Sequence, residues 1–68
     1  MKHEAKAVLS GAGITADQDF GTLSSDQLAA VRTEAEAAYL RKHGEAMPAD
    51  SASFIRKRYD LLQQRARA

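Results

Sequence analysis

Residues 23–28, Leu-Ser-Ser-Asp-Gln-Leu, spell a complete helix start, and this hexapeptide constrains the fold more than any other part of the chain. Ser24 stands at the N-cap, where its hydroxyl accepts from the N3 backbone N–H. Gln27 stands at N3 and reaches back to the Ser24 N–H. Leu23 and Leu28 flank the box as a hydrophobic staple. The matching stop is Gly44, at the position of a left-handed residue, preceded by Arg41, Lys42 and His43, whose cations suit a helix C-terminus. The two signals bracket a helix over about 25–43. Its buried stripe is expected at Leu28, Val31, Ala35, Ala38 and Tyr39. The many alanines raise helix propensity and allow a neighbouring helix to approach closely.

A second long helix is expected over about 50–66, opened either by Pro48 at N1 or by Asp50 as N-cap. Ile55, Tyr59, Leu62 and Ala66 fall on one ridge of it, which reads as core. Phe54, Arg58, Leu61 and Arg65 fall on an adjacent ridge that is half apolar and half cationic. A short helix is expected over about 3–10, with Ala5, Val8 and Leu9 inward and Gly11 or Gly13 as its stop. Residues 11–23 are irregular. There Ile14-Thr15-Ala16-Asp17-Gln18 echoes Leu23-Ser24-Ser25-Asp26-Gln27, and predicts a single helical turn that ends at Gly21. The only β-like run, Ala7 to Ser10, lies inside a helical pattern. The expected fold is therefore all-α: one small three-helix domain, its short N-terminal helix packed on an antiparallel helical hairpin through Val8, Leu9, Ile14 and Phe20.

Sixty-eight residues allow one domain. A chain this short buries only about 60% of its unfolded surface, so a monomer has little stability to spare and self-association would add to it. There is no cysteine, hence no disulfide. No apolar run approaches the roughly 20 residues of a membrane span. Lys2, Glu4 and Lys6 stand where a signal peptide would be apolar. A cytoplasmic protein without membrane contact is the expectation.

One motif points toward a cofactor. Gly11-x-Gly13-x-x-Ala16 fits a dinucleotide-binding turn, in which glycines let backbone N–H groups approach a pyrophosphate. The string Gly-Ala-Gly-Ile-Thr, with Asp19-Phe20 downstream, resembles the NAD-binding start of sirtuin deacylases over about fifteen residues. It departs from that family in spacing, and lacks the Pro before and the Arg after the Asp-Phe pair. Such a turn works only between a buried strand and a helix of a parallel sheet, and this chain has no pattern for a second strand. The glycines are read instead as a helix C-cap and turn, and no cofactor is expected.

The other candidate sites reduce in the same way. Asp17-x-Asp19-x-Gly21 departs from a calcium loop, which needs Gly at position six and Glu at position twelve, where Thr22 and Leu28 stand. His3 and His43 lack the close Cys/His spacing of zinc sites. The serines are explained as caps and turns, and Tyr39 and Tyr59 lie on core stripes. No catalytic constellation, metal site or small-molecule substrate is expected, and the chain does not read as an enzyme.

What remains is charge. Residues 51–68 carry five cations, Arg56, Lys57, Arg58, Arg65 and Arg67, against Asp60 alone, whereas residues 1–50 carry five cations and eight anions. Arg65 and Arg67 complement the helix dipole. Arg56, Lys57 and Arg58 do not, and Arg58 sits between Phe54 and Leu61. The simpler reading of Arg58 pairs its head with Glu34, Glu36 or Glu45 on the facing helix. The sharper one makes it an interface residue, because Arg and aromatics are enriched in interface cores. The expected function is a non-enzymatic interaction or assembly module that docks a protein partner, or a second copy, through Phe54, Arg56, Lys57, Arg58, Leu61 and Arg65. The alternative is a small nucleic-acid-associated regulator using the same basic helix. Against it, a helix-turn-helix needs a link of about three or four residues, and the link from Gly44 to Asp50 is longer.

Overall fold

The computed structural model describes residues 2–68, with side chains from Glu4 onward; His3, weighed above as a ligand, has its side chain outside the described residues. Among the described residues three α-helices form: α1 (Lys2–Gly11), α2 (Ser25–His43) and α3 (Ala52–Arg67). A single 3₁₀ turn at Phe20–Thr22 interrupts the first connection, and no strand occurs among the described residues. The domain is all-α, with α3 packed against both other helices.

Both ends of α2 follow from local chemistry. Ser24 Oγ accepts from Gln27 N at 3.2 Å, and Gln27 Oε1 accepts from Ser24 N at 3.0 Å. At the other end Gly44 takes φ 71°, and its N–H donates to Leu40 O at 2.8 Å. The end of α1 is a Schellman motif. Ile14 N donates to Leu9 O at 2.8 Å, Gly13 N donates to Ser10 O at 3.0 Å, and Gly13 takes φ 70°. Leu9 and Ile14, the apolar pair that accompanies such an ending, are both buried. The second glycine of the Gly-x-Gly string is thus a helix stop.

Two starts differ from expectation. α3 begins at Ala52, after both Pro48 and Asp50. Ser51 occupies its N-cap but makes no side-chain cap, because its hydroxyl donates back to Pro48 O at 2.7 Å. In the connection, Thr15 opens no helical turn. Residues 15–18 form a reverse turn closed by Gln18 N donating to Thr15 O at 3.3 Å. Asp19 caps the 3₁₀ turn instead, its Oδ2 accepting from Gly21 N at 3.0 Å, so Gly21 lies inside the turn and does not end it. An Asp side chain satisfies a free N–H two residues on without help from a following helix.

Residues 12–18 expose carbonyls that no helix satisfies, and polar side chains of α2 and α3 supply the donors. Gln27 Nε2 donates to Gly13 O at 3.2 Å and to Ala12 O at 3.4 Å. Tyr59 Oη and Gln63 Nε2 both donate to Gln18 O, at 2.6 and 2.7 Å. Arg67 Nη1 reaches Ala16 O at 3.2 Å. The core beneath is Ala5, Leu9, Ile14, Val31, Tyr59, Leu62 and Ala66, with Val8, Phe20, Leu23 and Ile55 packed around it.

Four positions correct the expected stripes. Leu28 is 41% exposed, and Tyr39 and Ile55 are only half-buried. Gln63, which no apolar pattern marks, is buried because the Gln18 carbonyl needs its amide. α3 also shares its larger interface with α1 and its smaller one with α2. Helix α3 therefore packs against both other helices, as the three-helix reading requires.

Candidate functional site

The adjacent ridge of α3 does not face a flat surface. Phe54, Lys57, Arg58, Leu61 and Arg65 form one wall of a groove of about 660 Å³. Ala38, Arg41 and Lys42 from α2 form the other wall, and Glu4 of α1 closes one end. An adjoining recess of about 320 Å³ shares Glu4, Arg41, Arg58 and Arg65, and reaches Glu34 and Val8.

The apolar part of the groove is anchored by aromatic packing. Phe54 meets Tyr39 edge-to-face, with ring centroids 5.3 Å apart at 84°. Tyr39 in turn packs against His43, at 4.3 Å. Edge-to-face contact places the electropositive ring edge on the electronegative face of the partner ring. Phe54 and Leu61 stay half-buried, so part of each remains available to an occupant.

The polar part is organised by one carboxylate. Arg58 Nη2 donates to Glu34 Oε1 at 2.6 Å, with side-chain exposures of 14% and 17%. Arg41 Nη2 lies 3.7 Å from the same oxygen. The simpler reading of Arg58 is therefore realised, with Glu34 as the partner. It does not remove Arg58 from the groove, because Arg58 lines the wall. Its Nε is buried and has no hydrogen-bond partner. Lys42, Lys57 and Arg65 make no ion pair among the described residues. The groove and its recess together hold five cations against the carboxylates of Glu4 and Glu34.

Arg56 stands apart from this assembly. Its guanidinium lies 4.9 Å from the centroid of the Phe20 ring and pairs with Asp60 at 3.4 Å. It holds the 3₁₀ turn against α3 and is not a groove residue. The structure thus gathers Phe54, Lys57, Arg58, Leu61 and Arg65, and separates Arg56 from them. The sequence reading missed Ala38, Arg41, Lys42 and Glu4. Arg41 and Lys42 had been accounted for as dipole-complementing cations. Arg41 carried one usable signal: it lies seven residues beyond Glu34, two turns along the same face of α2.

Among the described residues Tyr59 has a displaced acidity. Burial raises the pKa of its hydroxyl above the ordinary 10.0, and the nearby carboxylates of Asp19 and Asp60 raise it further. Its proton is committed to Gln18 O. The tyrosine is a structural donor and lies outside the groove. Among the described residues no group of three or more His, Cys, Asp or Glu is placed to hold a metal ion, and no helix is long and apolar enough to cross a membrane.

The chain matches no protein-family model, and neither the curated proteins nor the solved structures contain a significant match to it.

Proposed function

We propose that this chain is a non-enzymatic interaction module whose groove between α2 and α3 receives an acidic, amphipathic segment of a partner protein. The observation that carries the reading is the placement of Lys42, Lys57 and Arg65, without ion-pair partners among the described residues, around the half-buried Phe54 and Leu61. A partner segment with Leu or Phe spaced along one face fills the apolar floor, and its Asp or Glu residues meet the cationic rim. Charge complementarity of this kind steers encounter and fixes register, while the aromatic and aliphatic anchors carry the binding energy.

The test is titration of the labelled protein with an acidic amphipathic helical peptide and with a neutral peptide of the same apolar pattern. Saturable chemical-shift changes at Phe54, Lys57, Leu61 and Arg65 are expected from the acidic peptide. A Lys57→Glu, Arg65→Glu double variant is expected to weaken binding by at least about tenfold. No saturable shift, or equal affinity of both peptides, overturns the reading.

Nucleic acid is the second reading, favoured by the same rim cations. Two features weigh against it. Glu4 and Glu34 place carboxylates where a phosphate chain would run, and Arg56 is turned away to Phe20. This reading requires binding of labelled DNA or RNA that weakens steeply with salt.

A further inference from the structure

We propose that the recess beside the groove seats a single carboxylate of the acidic partner, a proposal that rests on the groove reading above, and that it favours carboxylate over phosphate. The recess already holds one carboxylate of the chain itself. Glu34 lines it and accepts from Arg58 Nη2 at 2.6 Å. The hold is end-on: Arg58 Nε is buried without a partner, and Nη1 makes no hydrogen bond among the described residues. Arg41 Nη2 lies 3.7 Å from the same oxygen, beyond hydrogen-bond distance, and the Arg41 side chain is 64% exposed. Arg65, half-buried on the same recess, makes no ion pair among the described residues. A guanidinium presents a fork of parallel N–H donors that matches a carboxylate. Glu34 fills no such fork, and the donors of Arg41 and Arg65 are left over.

Charge decides which anion fits. Arg41, Arg58 and Arg65 line the recess with Glu4 and Glu34, three cations against two carboxylates, so one positive charge is in excess. A single monoanion neutralises it. A phosphomonoester carries about −1.5 to −2 charges at neutral pH and brings a surplus of negative charge beside Glu4 and Glu34. The rest of the lining, Ala5, Ala7, Val8 and Leu62, is apolar and suits the short hydrocarbon stem that bears a carboxylate. Both an acidic side chain and the C-terminus of a chain supply that chemistry. Lys42 and Lys57 line the groove and not the recess. The two cavities therefore divide recognition: the lysines meet negative charge along the groove, and the arginines fix the register of one carboxylate.

Titration of the labelled protein with the acidic amphipathic helical peptide tests the proposal, with α1 as the reporter. Ala5, Ala7 and Val8 line the recess and not the groove. Saturable shifts of their amides are expected beside those of Phe54 and Leu61. The peptide is then neutralised one carboxylate at a time, by exchanging each acidic residue for its amide and by amidating the C-terminus. One neutralisation is expected to remove the α1 shifts and weaken binding about tenfold, and each of the others to weaken it less than about threefold. Whether that one is a side chain or the C-terminus identifies the source, and either supports the seat. Phosphoserine at that position, with the terminus amidated where the terminus is the source, is expected to bind at least about threefold more weakly than the carboxylate. Arg41→Gln leaves the Arg58–Glu34 pair in place and is expected to level the whole series. Shifts at Phe54 and Leu61 with none in α1 overturn the recess and leave the groove standing. An even loss across the series, or tighter binding of phosphoserine, does the same. No saturable shift at any residue overturns both.

Discussion

Arg58 and Glu34 are joined across α2 and α3 at 2.6 Å, and the carboxylate is shared with Arg41 at 3.7 Å. The pair stands where the groove adjoins its recess, and it ties α2 to α3. The Nε of Arg58 is buried and unsatisfied. The geometry therefore holds a strong bond beside an unmet one. Removing Glu34 leaves a largely buried guanidinium with no counter-charge.

Glu34→Ala is accordingly expected to destabilise the fold by about 1–3 kcal/mol, between the values for exposed and fully buried pairs. The control is the Arg32–Glu36 pair, whose side chains are 52% and 50% exposed. Glu36→Ala is expected to change stability by no more than about 0.5 kcal/mol. Urea unfolding of both variants checks the contrast. Equal effects would mean that burial contributes nothing to the Arg58–Glu34 pair.

Tyr59 makes alkaline stability a readout of the connection between α1 and α2. Its pKa is raised in the folded state above the 10.0 of the free group, by burial first and by Asp19 and Asp60 after it. The folded chain therefore holds the proton more tightly than the unfolded chain does. The stabilisation is complete below pH 10.0 and is lost as pH rises from there through the folded pKa. A Tyr39→Phe variant leaves Tyr59 as the sole tyrosine, and its tyrosinate absorbance is expected to rise with a midpoint above 10.0, together with loss of helix. Tyr59→Phe removes the bond to Gln18 O and is expected to cost about 1–2 kcal/mol at neutral pH while flattening the alkaline loss.

The two glycines of the Gly11-x-Gly13 string are expected to answer oppositely to alanine. Gly13 sits at φ 70°, where a Cβ is strained, so Gly13→Ala is expected to destabilise by about 1–2 kcal/mol. Gly11 is helical, and a Cβ there meets nothing within 4 Å. Gly11→Ala is expected to be neutral or to stabilise by up to about 1 kcal/mol. Thermal melts of the two variants check the contrast: a helix stop at Gly13 tolerates Gly11→Ala and does not tolerate Gly13→Ala.

Phe54 and Leu61 separate packing from docking. Both are half-buried, and Phe54 packs on Tyr39. Leu61→Ser is expected to cost about 1 kcal/mol or less in stability and to abolish shift changes from the acidic peptide. Phe54→Leu is expected to leave the fold intact and to weaken peptide binding by about tenfold, since the flat aromatic anchor is lost. Calorimetric melting beside peptide titration reads the two effects apart.

The bounds of α2 were legible in the sequence because caps are local chemistry. Ser24, Gln27 and Gly44 satisfy or release backbone groups within a turn of themselves, whatever surrounds them. The same is true of the all-α class, and of the separation of Tyr59 and Leu62 from the Phe54–Leu61 ridge, which helical periodicity dictates. The start of α3 was less legible. Pro48 and Asp50 offered competing signals, and the residue that takes the N-cap, Ser51, turns its hydroxyl to Pro48 O in place of a helix N–H.

Tertiary structure decided everything that depends on which surface meets which. Leu28 and Val31 are equally apolar and lie on the same stripe. Val31 is wholly buried and Leu28 is not, because burial is set by the path of the neighbouring helix and not by periodicity. In the sequence Gln63 looks like a solvated polar residue, and Gln27 has only its role in the capping box. They serve as donors to the carbonyls of Gln18, Gly13 and Ala12, a demand created only when the connection folds over α2 and α3. The groove itself joins Arg41 and Lys42 to Lys57 and Arg65 from another helix, with Glu4 from a third. Spacing along the chain carries local backbone chemistry. The union of distant charges on one surface is a property of packing.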